Sequence, residues 1–377
     1  MKKDIIFLYL NGTHQLFHTA MTAFECSRLQ KEFNVKLIAC HPEHYEILNK
    51  MRDSFGSYDN EIVLLPFPFK FKYLNFKKKS YPSPYSTIKL VRNHLNNSVV
   101  VISTSHDLPK LLKKINYEQL KKIYQFHGCG DRSYSFDPEY RNFDLLLIPG
   151  KYHEKRLISE KIVNADKIRI VGYPKLDIPN NQKNGKTSFF NNKNPTILYT
   201  PHWDPELSSY KEWSREIIDY FKLNQQYNLI LAPHIQLKHW KFKYGYDTNF
   251  DISKASNILI DFESINSVNG TYLYASDIYI GDVSSQVYEF LAVKPRSCIF
   301  LNPKKLAWKN NPDFKFWELG NVIEDFNEFD TVLSKSILQN FYSELQSNRL
   351  KSYISVTKQK PSQRAAEAIL EFANNFL

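Results

Sequence analysis

Histidine, serine and aspartate side chains recur just beyond short apolar runs. His127-Gly128 follows Ile123–Phe126, and His202 follows Thr196–Tyr199. His234 follows Leu229–Ala232. Asp282, Ser284, Ser285 and Gln286 follow Ile278–Ile280. Such runs suit strands of a parallel sheet buried on both faces. The residues after them then sit at the carboxyl edge, where open α/β sheets hold ligands. A histidine there accepts a proton near neutral pH, and Gly128 leaves room for a close approach. Ser284 is a cap for a helix predicted from Ser285 to about Val293, which Pro295 ends. Two hydroxyls and several unpaired N–H groups thus converge on a helix N-terminus, a corner suited to phosphate. Ordinary capped helices and hydrogen-bonded structural histidines are the plainer reading of each feature alone. Three polar strand ends on one predicted sheet edge favour a site.

The elements that must position these groups follow a β/α rhythm. Ile5–Leu10 is a predicted strand, Asn11-Gly12-Thr13-His14 a loop, Gln15–Phe33 a helix and Val35–Cys40 a second strand. The loop lacks GxGxxG, so no dinucleotide is expected on it. His14 is read as an acceptor contact. His14 and His18 share a helix face without an evident third ligand, and no DxD pair ends a strand; no metal or other cofactor is expected. Val99–Ile102, Asp144–Ile148 and Ile168–Val171 are further strands, the last running into Gly172-Tyr173-Pro174-Lys175-Leu176-Asp177. The polar, Asn-rich stretch Ile178–Asn194 reads as a linker. The predicted fold is α/β, with two Rossmann-like domains at residues 1–178 and 195–360. A C-terminal helix at 361–377, with Ser362 as its cap, is expected to cross back to the first domain.

The formal net charge is +11 with a pI near 9.1. That balance favours anionic partners. No zinc-finger spacing or RNA-recognition signature appears, so nucleic acid is not expected. The stretch from Pro66 to Tyr85 alternates aromatics with lysines and carries four prolines. Its Lys70–Lys79 portion is either a solvated insertion or a patch for anionic headgroups or a polyanionic acceptor. Four separated cysteines without CxxC indicate a reducing cytoplasm and no disulfide framework. The apolar run near the N-terminus is too short for a signal peptide or a membrane span. A cytoplasmic protein is expected, soluble or peripheral on the inner face of the plasma membrane.

Four local motifs carry a family resemblance. They are Tyr124-Gln125-Phe126-His127-Gly128, the turn Val171–Asp177, the segment Leu198–Asp204, and Asp277 through Phe290. In this order they resemble the bacterial CDP-glycerol glycerophosphotransferases, which polymerise teichoic acids and related capsule polymers. They also resemble the wider GT-B glycosyltransferases, whose two Rossmann-like domains face each other across a cleft. The resemblance implies a nucleotide-activated donor on the C-terminal domain, bound by His202, Asp282, Ser284, Ser285, Gln286 and Gly172. It implies His127 as catalytic base, with His234 also at the reacting phosphate, and His14 and Gly128 against the acceptor. The acceptor is expected to be a polysaccharide, a polyol-phosphate or a lipid-linked chain. Departures stand beside the match: Pro233-His234 replaces His-Pro, Asp282-Val283-Ser284-Ser285 replaces aspartate-tyrosine-serine-serine, and Lys175 replaces arginine. They leave a CMP- or UDP-activated sugar as an alternative donor. A non-catalytic anion-binding scaffold is the further alternative.

Overall fold

The computed structural model describes residues 2–29, 31–56, 59–66, 82–178 and 189–377. The Lys70–Lys79 stretch and most of the Asn-rich linker lie outside these residues. The chain forms two compact units. The first comprises Met1–Cys129, Phe136–Ile178 and Ser352–Leu377; the second comprises Gly130–Ser135 and Pro179–Lys351.

The first unit is built on strands β1 (Asp4–Tyr9), β2 (Asn34–Ala39), β3 (Asn60–Leu64), β4 (Ser98–Ser103), β5 (Lys121–Gln125), β6 (Leu145–Ile148) and β7 (Ile168–Ile170). They form one parallel sheet in the order β3-β2-β1-β4-β5-β6-β7. Every residue of β1 is buried, as a central strand covered on both faces requires. Helices α1 (Thr13–Leu29), α2 (Pro42–Phe55), α3 (Pro84–Val91), α4 (Leu108–Lys114) and α5 (Lys151–Ser159) make the crossovers. Edge strand β3 is partly exposed along its length, and its sequence, NEIVL, carries only a weak apolar signal. The strand order reverses direction between β1 and β4, the switch point at which such sheets bind ligands.

The C-terminal helix, Pro361–Asn374, packs on α1 and on the turn Pro174–Asp177 of this unit. Its Ala365, Ala366, Ile369 and Ala373 are fully buried. Ser362 is not its side-chain cap. Lys360 holds the cap position without a capping bond, and the Ser362 N–H donates to the Asp177 carboxylate at 2.6 Å. Asp177, remote in sequence, therefore satisfies one of the orphan donors of the first turn. Gly172 belongs to the same joint. Its φ of +82° suits glycine, and a Cβ there would stand 2.5 Å from Arg364 Nη2 and 2.7 Å from the Ser355 carbonyl.

The second unit contains β8 (Thr196–Thr200), β9 (Asn228–Leu231), β10 (Ile258–Ile260), β11 (Ile278–Gly281), β12 (Cys298–Leu301) and β13 (Asn321–Ile323). These strands are all parallel, in the order β10-β9-β8-β11-β12-β13. Helices α6 (Tyr210–Leu223), α7 (Gln236–Tyr244), α8 (Thr271–Ala275) and α9 (Gln286–Val293) alternate with them. The switch point lies between β8 and β11. Thr200 pairs with Gly281 and Tyr199 with Leu231, so the segments after β8, β9 and β11 leave the sheet at one edge.

Gly130–Ser135, within the span that patterning assigns to the first domain, belongs to this second unit. Buried Asp131 accepts from the Tyr288 hydroxyl of α9 at 2.7 Å. The Ser133 N–H and hydroxyl both donate to Asp313, at 2.6 and 2.8 Å. A Cβ on Gly130 would lie 2.9 Å from the Ser285 Cβ, so the backbone passes close to the start of α9.

Candidate functional site

In the second unit the switch point gathers His202, His234, Asp282 and Ser284–Gln286. Asp282 is fully buried and accepts from the His202 N–H at 2.8 Å. Its own carbonyl accepts from Trp317 Nε1 at 3.0 Å. Burial pushes its carboxyl up to about 7, and hydrogen bonds from Ser209 and His202 oppose that rise. Asp282 thus ties the β8 turn to the β11 turn. It braces the site through the bond to the His202 N–H.

The two histidines are alike. His202 Nδ1 accepts from the Asp204 N–H at 3.1 Å, and His234 Nδ1 accepts from the Gln236 N–H at 3.2 Å. Burial lowers both to about 3; the Arg132 guanidinium adds to this for His202, and His202 adds to it for His234. Both rings are therefore neutral at pH 7. A neutral ring whose Nδ1 accepts carries its proton on Nε2. The pair, with centroids 5.8 Å apart, consequently carries two Nε2–H donors and no positive charge.

Helix α9 begins one residue later than the sequence pattern suggests. Ser285 occupies the cap position without a side-chain cap bond, and the Ser284 hydroxyl accepts from the Gln286 N–H at 3.3 Å. Gln286 Nε2 donates to the Ser267 carbonyl at 3.4 Å. Donor hydroxyls, a helix N-terminus and neutral imidazole N–H groups form a neutral hydrogen-bonding surface for an oxyanion.

Gly172 sits in the first unit beneath the C-terminal helix, which accounts for its glycine without a ligand.

In the first unit His127 follows β5, half-buried. Its Nδ1 lies 2.9 Å from the Tyr124 hydroxyl, which in turn accepts from the Tyr140 hydroxyl at 3.2 Å. Burial, then the charge of His106, lower His127 to about 4, while the Thr104 carbonyl acts in the opposite direction. The ring is neutral at pH 7 and oriented by Tyr124. Its neighbour His18 is buried, bonded to the Tyr173 hydroxyl at 3.0 Å, and shifted well down by burial and by the charge of Lys175. His14 lies in the first turn of α1, where its charge acts on His18. Gly128 follows His127 in an irregular stretch. Tyr124, which orients the base candidate, and Arg132, whose charge adds to the effect of burial on His202, are not singled out by sequence pattern. Tyr124 reads as strand core, and Arg132 falls outside any apolar period.

No group of three metal-ligating side chains occurs among the described residues. No helix among them is long and apolar enough to cross a membrane.

Two doubly wound parallel sheets with polar switch points define the GT-B class of fold. Solved structures bear this out. The wall teichoic acid polymerase TagF, in the structure that carries CDPG, matches with a TM-score of 0.66 at 16% identity, over 99% of this chain and 89% of that one. A glycotransferase of kitacinnamycin matches with a TM-score of 0.63 at 9% identity, over 98% and 99%. At these identities the likeness concerns the fold. The sequence is more specific: residues 85–371 match the CDP-Glycerol:Poly(glycerophosphate) glycerophosphotransferase family, and the chain belongs to it. A teichoic acid poly(glycerol phosphate) polymerase of Staphylococcus epidermidis is 26% identical over 209 residues, covering 51% of this chain. The chain spans only 27% of that relative's length.

Proposed function

We propose that this protein transfers a glycerol-phosphate or related polyol-phosphate unit from a CDP-activated donor to an acceptor hydroxyl, in the synthesis of a teichoic-acid-like cell-surface polymer. The family match over residues 85–371 carries the reading. The chemistry of the second unit's switch point supports it. The donor phosphates are taken by Ser284, Ser285 and the α9 N-terminus, with the Nε2–H groups of His202 and His234 on the same oxygens. The acceptor oxygen attacks the phosphorus that bears glycerol. A new O–P bond forms, the bridging P–O bond to CMP breaks, and its electron pair stays on the CMP phosphate. The acceptor proton passes to His127. His14 and Gly128 are the proposed acceptor contacts, and the acceptor itself is a polyol-phosphate, polysaccharide or lipid-linked chain. The mechanism asks for no metal ion.

Titration with CDP, CMP, UDP and GDP, followed by thermal stabilisation, tests this reading, since a ligand bound only by the native state raises Tm. CDP and CMP should stabilise and GDP should not. The double variant Ser284→Ala, Ser285→Ala should weaken CDP binding about tenfold or more, the loss expected for one or two charge-assisted hydrogen bonds. A preference for UDP would move the donor to a sugar nucleotide, a reading that Val283, in place of the family's tyrosine, keeps in view.

The protein is further proposed to work peripherally at an anionic surface, an idea motivated by its net charge of +11. It should co-sediment with vesicles containing anionic lipid and dissociate as salt rises. Equal recovery with neutral vesicles would remove the membrane from the proposal.

A further inference from the structure

The second unit carries a cation that no hydrogen bond or ion pair among the described residues engages. Arg132 lies on the segment Gly130–Ser135, clamped in place on both sides by the Asp131–Tyr288 and Ser133–Asp313 bonds. Its guanidinium makes no hydrogen bond and no ion pair among the described residues, and its Nε is buried without a partner. Asp313, Asp204 and Asp131 act on it through space only. Burying a guanidinium N–H unpaired is costly unless a ligand completes it. The location says which ligand. Arg132 is near enough to His202 for its charge to add to the lowering that burial causes there, and the backbone at Gly130, two residues away, passes close to Ser285 at the start of α9.

The groups proposed to hold the donor phosphates carry no positive charge of their own: two serine hydroxyls, a helix N-terminus and two neutral imidazoles. A nucleoside diphosphate brings two or more negative charges, and hydrogen bonds alone leave those charges uncompensated. We propose that Arg132 is a catalytic residue of the donor site, binding the diphosphate oxygens through its guanidinium. There it compensates the charge that accumulates on the leaving nucleoside monophosphate as the bridging P–O bond breaks. A planar guanidinium can span two phosphate oxygens at once, which a lysine cannot. The inference rests on the donor reading given above.

The test compares wild type, Arg132→Ala and Arg132→Lys by calorimetry with CDP, CMP and cytidine, and by turnover with CDP-glycerol. Arg132→Ala should weaken CDP and CMP binding about 10- to 100-fold and leave cytidine binding unchanged. Turnover should fall further than binding, with partial recovery on adding guanidinium ion. Arg132→Lys should retain part of the affinity and little of the turnover. Tm of the ligand-free Arg132→Ala protein should stay close to that of wild type, because no hydrogen bond or ion pair among the described residues is lost and only through-space attraction to Asp313, Asp204 and Asp131 goes. Equal CDP affinity in wild type and Arg132→Ala, or equal losses for CDP and cytidine, would overturn the role of Arg132 alone. Wild type that binds none of the three would overturn the donor reading as well.

Discussion

Replacing His127 with alanine should lower turnover by about two to four orders of magnitude, the span expected for loss of a general base, with CDP affinity nearly unchanged. His127 belongs to the first unit and the nucleotide groups to the second, so chemistry and donor binding should separate cleanly in this variant. The pH profile carries the sharper signature. Its folded value of about 4, below the usual 6.5, leaves the ring neutral and able to accept a proton throughout the neutral range. The acid limb of kcat/KM should therefore fall near pH 4 rather than near 6.5 and vanish in the variant. The Tyr124 hydroxyl, 2.9 Å from Nδ1, orients the ring. For Nε2 to take the acceptor proton, Nδ1–H must donate to that hydroxyl. Tyr124→Phe should accordingly lose less turnover than His127→Ala and shift the acid limb. An unchanged rate in His127→Ala would remove it as the base.

Asp282→Ala should be the most damaging change in the second unit. The carboxylate holds the His202 N–H and faces Ser209, and its loss leaves those groups without their acceptor inside a packed core. A cost of about 2–4 kcal/mol follows from orphaning buried donors together with the cavity left behind. CDP binding should fall too, because the β8 and β11 turns lose their link. The pH dependence has a definite sign. The folded carboxyl sits at about 7, above its ordinary 3.8, so the native state binds the proton more tightly than the unfolded chain. The group's contribution is fully present below pH 3.8 and declines as pH rises through 7. The stability gap between wild type and Asp282→Ala should therefore narrow with rising pH over that window, at no more than about 1.4 kcal/mol per pH unit. Denaturant unfolding at pH 5 and pH 8 measures it. A gap that widens with pH would mean that Asp282 is ionised and stabilised by a partner.

The strands that carry the site were legible in the sequence. Ile278–Ile280 and Leu229–Ala232 are short apolar runs that suit buried parallel strands, and the polar residues after such strands emerge at a sheet edge. The family was legible as well, because its motifs are local and ordered. What the sequence could not determine was which polar groups satisfy one another across distances in the chain. Gly172 reads as a donor contact and Asp177 as the end of a family motif, and the fold uses them to seat and cap the C-terminal helix. Asp282 reads as a donor contact, and the fold also uses its Oδ2 to accept from the His202 N–H. The charge of the histidines was equally hidden. Burial and the partners of each Nδ1, both properties of the packed state, make His202 and His234 neutral donors. Arg132 follows no hydrophobic period and no motif. Only the docking of Gly130–Ser135 onto α9, through Asp131 and Tyr288, brings its charge to the switch point. Local pattern is set by burial along one element, while pairing and protonation depend on contacts that exist only after the elements pack.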